Sequence, residues 1–170
     1  GAIILGKVNR HEFAVWGETV SSLGGQTLNP YDLSRTPGGS SGGTGAGVAA
    51  GFGVAGIGTD TVHSVRSPAS ANSLVGIRPT TGLVSRSGLI PYSDSQDTAG
   101  PIARCVSDAA LLLDVMVGYD PEDARTAYSV GQTGPGSYLA ATVNPQLAGR
   151  RIGLLRSLFG EGEESAQVNA

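Results

Sequence analysis

The sequence is short of the residues that cross-link a protein, bind metals or carry strong charge. Its 170 residues include one cysteine, Cys105, so an internal disulfide framework is excluded. With that single thiol and two histidines, His11 and His63, a structural zinc site lacks its ligands, and no metal is expected. Cys105 opens an apolar helical pattern and reads as a packing residue. Lysine occurs once, as Lys7, and the 11 basic residues are scattered singly except at Arg150-Arg151. With a formal charge of −3 there is no basic stripe to neutralise a phosphate backbone, which excludes a nucleic-acid partner. No apolar run approaches the roughly 20 residues that span a bilayer, and no signal-like block opens the chain, so no membrane span and a cytoplasmic location are expected.

Glycine is the abundant residue. Its 27 occurrences are roughly twice the usual share, while hydrophobic residues still make up 39%. That balance describes a folded chain with many close backbone approaches rather than a disordered linker. The length suits one domain with a sizeable core.

Taken in order, Ala2 to Leu5 reads as an interior strand closed by Gly6. The GAIILGK segment matches a phosphate-loop pattern only formally, because Val8 follows the lysine and a strand fills the middle. Asn9 is placed to cap a short helical turn with Glu12 as its capping-box partner. Ser21 to Gly39, punctuated by Asn29-Pro30 and Thr36-Pro37, is a loop that leads to a serine- and glycine-rich turn. Thr44 to Val54 then reads as a helix of small residues, packed closely on all sides. The G-x-G-x-x-G at Gly51 to Gly56 ends a helical pattern instead of joining a strand to a helix, so the dinucleotide reading fails. Later, Ser107 is placed to cap an apolar helix closed by Gly118, with Leu111, Leu112, Val115 and Met116 as its core stripe. The polar stretch 119–149 reads as a variable surface excursion, and the last residues, from Gly160, as the opening turn of a helix.

Ser40 and Ser41 stand in the glycine-rich turn at the helix start, where free N–H groups and the helix dipole favour negative charge. A serine hydroxyl near neutral pH is almost wholly protonated, so neither is a nucleophile without a positioned base. The motifs that follow supply a context. They are GGSSGG at Gly38 to Gly43, GTD at Gly58 to Asp60, S-x-R at Ser64 to Arg66, Pro68-Ala69, and G-x-R-P-T at Gly76 to Thr80. In this order they resemble the amidase signature family of serine hydrolases. The similarity extends through GAIILGKVNRHEFA at the start and DTAGPIARCVSDAALLLDVMVG after Asp97, with Gly149 to Leu155 resembling a returning strand.

The resemblance implies an α/β fold, a mixed sheet covered by helices, of which residues 1–170 are a part incomplete at both ends. Its signature core is about 36–80. It also implies a Ser-cisSer-Lys triad with Ser64 as nucleophile and Ser40 as the bridging serine after a cis Gly39–Ser40 bond. Backbone N–H groups of Thr61, Val62, His63 and Ser64 form the oxyanion hole, each donor contributing about 3 to 4 kcal/mol in comparable hydrolases. Ser41 satisfies backbone groups near the cis bond, and Asp60 with Arg66 forms a buried ion pair that fixes the loop. The family's lysine belongs to a different motif, upstream of the G-K-x-N segment, so Lys7 is not the base and the base is not in this chain. No cofactor is needed, and the partner is a small-molecule amide.

There is one departure. Val62-His63 stand where the family usually carries two glycines, so either the loop keeps negative φ at Val62 or the oxyanion hole is altered. Adjacent residues in extended backbone point to opposite faces, which argues against a His63–Ser64 pair and leaves His63 to packing or a pocket contact. The expected activity is hydrolysis of a carbon-nitrogen amide bond by the longer parent, the isolated chain being inactive. The alternatives are a silent relative and an ammonia-liberating subunit of a larger amidotransferase.

Overall fold

Two six-residue strands, β3 (Ala55–Asp60) and β5 (Thr98–Ala103), form the centre of the molecule. They pair antiparallel, with Ala55 opposite Ala103 and Asp60 opposite Thr98. A short β4 (Val75–Gly76) joins the far side of β5, giving the order β3-β5-β4, so β3 and β4 run in the same direction. A two-stranded ribbon, β1 (Val20–Ser21) with β2 (Gly25–Gln26), stands apart in the approach loop. The computed structural model describes residues 2–132, 134, 136–155, 160 and 162; apart from Gly160 and Gly162, the turn expected at the end of the chain lies outside them.

Every residue of β5 is buried, because successive side chains point to opposite faces and both faces are covered. On one face Ile102 packs with Val65 and with Ala69 of α2 (Arg66–Ala71). On the other, Ala99 packs with Val84 and with Leu113 of α3 (Val106–Met116). This is the α/β arrangement expected from the sequence, with helices on both sides of a sheet.

Helix α1 (Gly42–Ala49) lies so close to β3 that Gly56 and Gly58 of the strand have no room for a side chain. A Cβ on Gly56 would stand 2.6 Å from Thr44 Cγ2, and one on Gly58 would stand 2.9 Å from Ser41 Oγ. The two-residue period puts Asp60 on that same face, at the strand end nearest the serine turns. The helix begins and ends earlier than the expected Thr44 to Val54: the Ala50 N–H reaches the Ala46 carbonyl, and Gly51 follows in the left-handed region at φ 79°, which stops it.

Several expectations change. Ala2 to Leu5 is not a strand; it pairs with no ladder among the described residues, and its isoleucines are exposed. Residues 149–155 likewise form no strand. Asn9 caps nothing: its amide donates to the Gly25 carbonyl at 3.0 Å and to Thr27 Oγ1 at 2.9 Å, bracing the β1–β2 ribbon. Glu12 serves the same ribbon through the Ser22 N–H at 3.0 Å. In α3 the buried positions are Ala109, Ala110 and Leu113, while Leu111 and Val115 are exposed. The stripe is displaced to the face on which Leu113 packs against Ala99 and Val84. Cys105 is the exposed N-cap position of that helix and not a packing residue.

The stretch after Tyr119 is tied down rather than free. Arg86 grips Asp123 with two parallel hydrogen bonds, Nε to Oδ2 and Nη2 to Oδ1, both 2.9 Å. That grip, opposed by burial, holds the Asp123 carboxyl well below the usual range. A helix α4 (Ser137–Ala141) docks on α3, where the Asp114 carboxylate accepts the N–H groups of Tyr138 and Leu139 at 3.0 and 2.8 Å. No helix among the described residues is long and apolar enough to cross a membrane.

Candidate active site

Two turns meet at the end of β3. The first runs from Gly38 to the N-terminus of α1, and its Gly39–Ser40 peptide is cis, as the motif led us to expect. Thr19 holds it from beneath: its hydroxyl donates to the Gly38 carbonyl at 2.8 Å and accepts from the Gly42 N–H at 2.9 Å. The Asn72 amide donates to the Pro37 carbonyl at 2.9 Å and to the Pro68 carbonyl at 2.8 Å, joining the turn to α2. Gly39 has no room for a side chain, since a Cβ there would stand 2.0 Å from the Glu18 carbonyl oxygen.

The second turn carries Thr61, Val62, His63 and Ser64 from β3 into α2. Its backbone joins the first turn directly, the Ser41 N–H donating to the Ser64 carbonyl at 3.3 Å. Ser40 and Ser41 are fully buried and Ser64 is 6% exposed. Ser41 is engaged at both ends by β3: the Thr59 N–H donates to its oxygen at 3.1 Å, and its hydroxyl reaches the Thr59 carbonyl at 3.2 Å. The sequence-predicted serines are therefore brought together, Ser41 as the tie between the two turns.

The N–H groups of Thr61, Val62, His63 and Ser64 have no protein acceptor among the described residues. Neighbouring free donors beside a buried hydroxyl are the arrangement that can stabilise an oxyanion. Val62 is not left-handed, so the turn accepts a β-branched residue without the strain a positive φ imposes. Its side chain and that of His63 point to solvent at the rim. The His63 ring lies over Gly17, whose Cβ, if present, would be 3.4 Å from Cε1; no hydrogen bond joins it to Ser64.

Asp60 anchors the second turn. Its side chain is fully buried, and Oδ2 accepts the Val65 N–H at 3.0 Å, next to Ser64. The expected pair with Arg66 is present at 3.4 Å, but Arg66 is half exposed. The shorter and more buried partner is Arg78, at 3.1 Å. Arg66 instead turns its Nη2 to the Val62 carbonyl and braces the turn from outside. Thr61 is held in turn by Asp97, hydroxyl to Oδ1 at 2.6 Å. Burial opposes ionisation of Asp97, but the Thr61 hydroxyl and the N–H groups of Tyr92 and Ser93 hold its pKa below the usual carboxylate value. Lys7 lies exposed, with no hydrogen bond or ion pair among the described residues.

A family model described as Amidase matches residues 1–169. The chain belongs to the amidase family. It is 49% identical over its whole length to a glutamyl-tRNA(Gln) amidotransferase subunit from Pseudomonas aeruginosa, of which it spans 34%. A solved peptide amidase from Stenotrophomonas maltophilia is 47% identical, with a TM-score of 0.76 over 82% of this chain and 30% of that one. The solved glutamyl-tRNA(Gln) amidotransferase subunit from Thermotoga maritima is 50% identical, with a TM-score of 0.70 over 72% of this chain and 27% of that one. The chain thus spans about a third of the length of the curated relatives it matches.

In this amidase-family site, sequence reading missed Thr19, Asn72, Arg78 and Asp97. Each acts across a long sequence separation through a hydroxyl, amide or charge. The G-x-R-P-T motif did contain Arg78, and the burial of Asp60 is what selects it over Arg66.

Proposed function

We propose that the parent protein hydrolyses a carbon-nitrogen amide bond, other than a peptide bond, through an acyl-enzyme on Ser64. The carrying observation is the junction of the two turns, with buried Ser40 and Ser64 on either side of the Ser41–Ser64 backbone bond and free N–H groups beside them. Ser64 Oγ attacks the amide carbonyl, its proton passing to Ser40 as the proton of Ser40 passes to a neutral lysine outside residues 1–170. The same relay returns a proton to the leaving nitrogen, and water then hydrolyses the ester. The free donors at Thr61, Val62, His63 and Ser64 hold the charge that develops on the carbonyl oxygen. Gly39 and Ser41 shape the relay turn, Asp60 and Arg66 the nucleophile turn. The isolated 170-residue chain, without that lysine, is inactive, and the location is cytoplasmic.

The test is partner-free hydrolysis of a simple amide by the full-length protein, with a fluorophosphonate probe to identify the acylated residue. Labelling at Ser64 that survives Lys7→Ala supports the reading. Labelling of the isolated chain that is lost with Lys7→Ala removes it. His63→Asn in the full-length enzyme is expected to leave turnover within about tenfold of the parent, since the ring faces the rim. A thousandfold fall in kcat with unchanged KM instead makes His63 part of the proton path.

A second reading is favoured by the match, over the whole of this chain, to a glutamyl-tRNA(Gln) amidotransferase subunit. There the same acyl chemistry liberates ammonia for a partner protein, and hydrolysis of a simple amide by the protein alone is absent until partners are supplied.

A further inference from the structure

The proposed mechanism gives no role to Arg10, a largely buried cation. Arg10 sits in the coil before the first turn of 3-10 helix, and its Nη2 reaches four oxygens of the two walls of the site. These are Ser41 Oγ at 3.0 Å, Ser40 Oγ at 3.5 Å, the Thr59 carbonyl at 3.5 Å, and the Thr59 hydroxyl. Burial draws its pKa below the usual arginine value. A guanidinium nonetheless keeps its proton in proteins, so the charge is permanent. Among the described residues no carboxylate pairs with it.

Among the described residues, the charged and titratable neighbours leave that charge uncompensated. Asp60, next to Thr59 on β3, turns its carboxylate to the Val65 N–H, Arg66 and Arg78. His11 follows Arg10 and gives its N–H to the Ser40 carbonyl at 2.9 Å, while its Nδ1 is buried without a partner. Glu12 is committed to Ser22, and Glu18 meets the Gly39 turn through its backbone with its side chain exposed. His63 stands at the exposed rim.

We propose that Arg10 is a positioning residue that keeps the lysine base of this enzyme neutral, acting across the shared oxygen of Ser40. The proposal rests on the reading that Ser40 passes its proton to a lysine. To receive it, the lysine nitrogen must come within about 3 Å of Ser40 Oγ. Arg10 Nη2 is 3.5 Å from that oxygen, so the two nitrogens are at most about 6.5 Å apart. A fixed positive charge at that distance in a partly buried site disfavours protonation of the lysine and lowers its pKa by about one to two units. A free lysine, at about 10.4, is almost wholly protonated at neutral pH and is no base. Arg10 supplies part of the shift that the chemistry requires, and its bonds to Ser41 and Thr59 fix where it acts.

The experiment is the pH profile of kcat/KM for a simple amide in the full-length enzyme, with fluorophosphonate labelling of Ser64 alongside. Arg10→Gln keeps a hydrogen-bond donor and removes the charge; Arg10→Met removes both; Arg10→Lys restores a cation. The acid limb, which reports loss of the lysine proton, is expected to move up by at least about one pH unit in Arg10→Gln and Arg10→Met and to return towards the parent in Arg10→Lys. A limb that stays in place in whichever neutral variant folds, with only the plateau reduced, overturns the proposal and leaves Arg10 a structural tie. If the parent itself is neither labelled at Ser64 nor active on an amide, the reading beneath the proposal fails, and the proposal fails with it.

Discussion

Ser64→Ala in the full-length protein is expected to lower kcat/KM on its amide by at least about 10⁴-fold, with no covalent adduct left for a fluorophosphonate to form. The loss is this large because the hydroxyl has no substitute in reach. Ser41 is committed to Thr59 in both directions, and Ser40 is fully buried behind the turn junction. Removing one hydroxyl from a 6%-exposed position leaves the backbone bond between Ser41 and Ser64 intact, so the fold is retained. Ser40→Ala is expected to fall almost as far, because it interrupts the only proton route in the mechanism. The double variant is expected to be no worse than the poorer single one, since residues that act as one unit are not additive. Steady-state rates with the three variants check this, with circular dichroism to show that each is folded. A Ser64→Ala enzyme that keeps more than about 1% of the parent rate places the nucleophile elsewhere.

Much of this site could be read in the sequence, but for a limited reason. The serine turn, the GTD segment and the S-x-R segment are local patterns, and each reports the backbone that it builds. Gly39 and the Gly56-x-Gly58 pair are present because Glu18, Thr44 and Ser41 come within contact distance of their backbones. What the sequence did not reveal acts across distance. Thr19 meets Gly42 and Asn72 meets Pro37, pairs that no periodicity connects. The α3 stripe shows the same limit: a helical pattern gives the spacing of the apolar positions, while the sheet decides which phase is buried. There the packing of Leu113 on Ala99 and Val84 buries the face that carries Ala109 and Leu113 and leaves Leu111 and Val115 outside. Ala2 to Leu5 has strand composition, yet composition alone forms no strand without a partner to accept its hydrogen bonds.

The choice between Arg66 and Arg78 gives the second large effect, and one in which stability and catalysis move together. Asp60→Ala is expected to destabilise the full-length protein by about 3 kcal/mol, near the low end for breaking a buried pair, because both arginines keep some access to water. The carboxylate is fully buried, whereas Arg78 is 26% and Arg66 52% exposed at the side chain. Arg78→Ala therefore leaves a buried carboxylate short of its better partner and is expected to cost about 2 kcal/mol. Arg66→Ala removes a longer contact from a solvent-screened side chain and is expected to cost less than about 1 kcal/mol. Urea midpoints of the three variants give the order directly, and the two arginine variants keep the comparison usable if Asp60→Ala fails to fold. Catalysis follows a different route. Asp60 fixes the Val65 N–H at 3.0 Å, one residue beyond the proposed nucleophile Ser64, so its loss is expected to free the turn and lower kcat even where the protein remains folded. Arg66 also braces the Val62 carbonyl, so Arg66→Ala is expected to cost rate out of proportion to its small cost in stability. Equal destabilisation by Arg66→Ala and Asp60→Ala would mean that the outer arginine, and not Arg78, carries the buried charge.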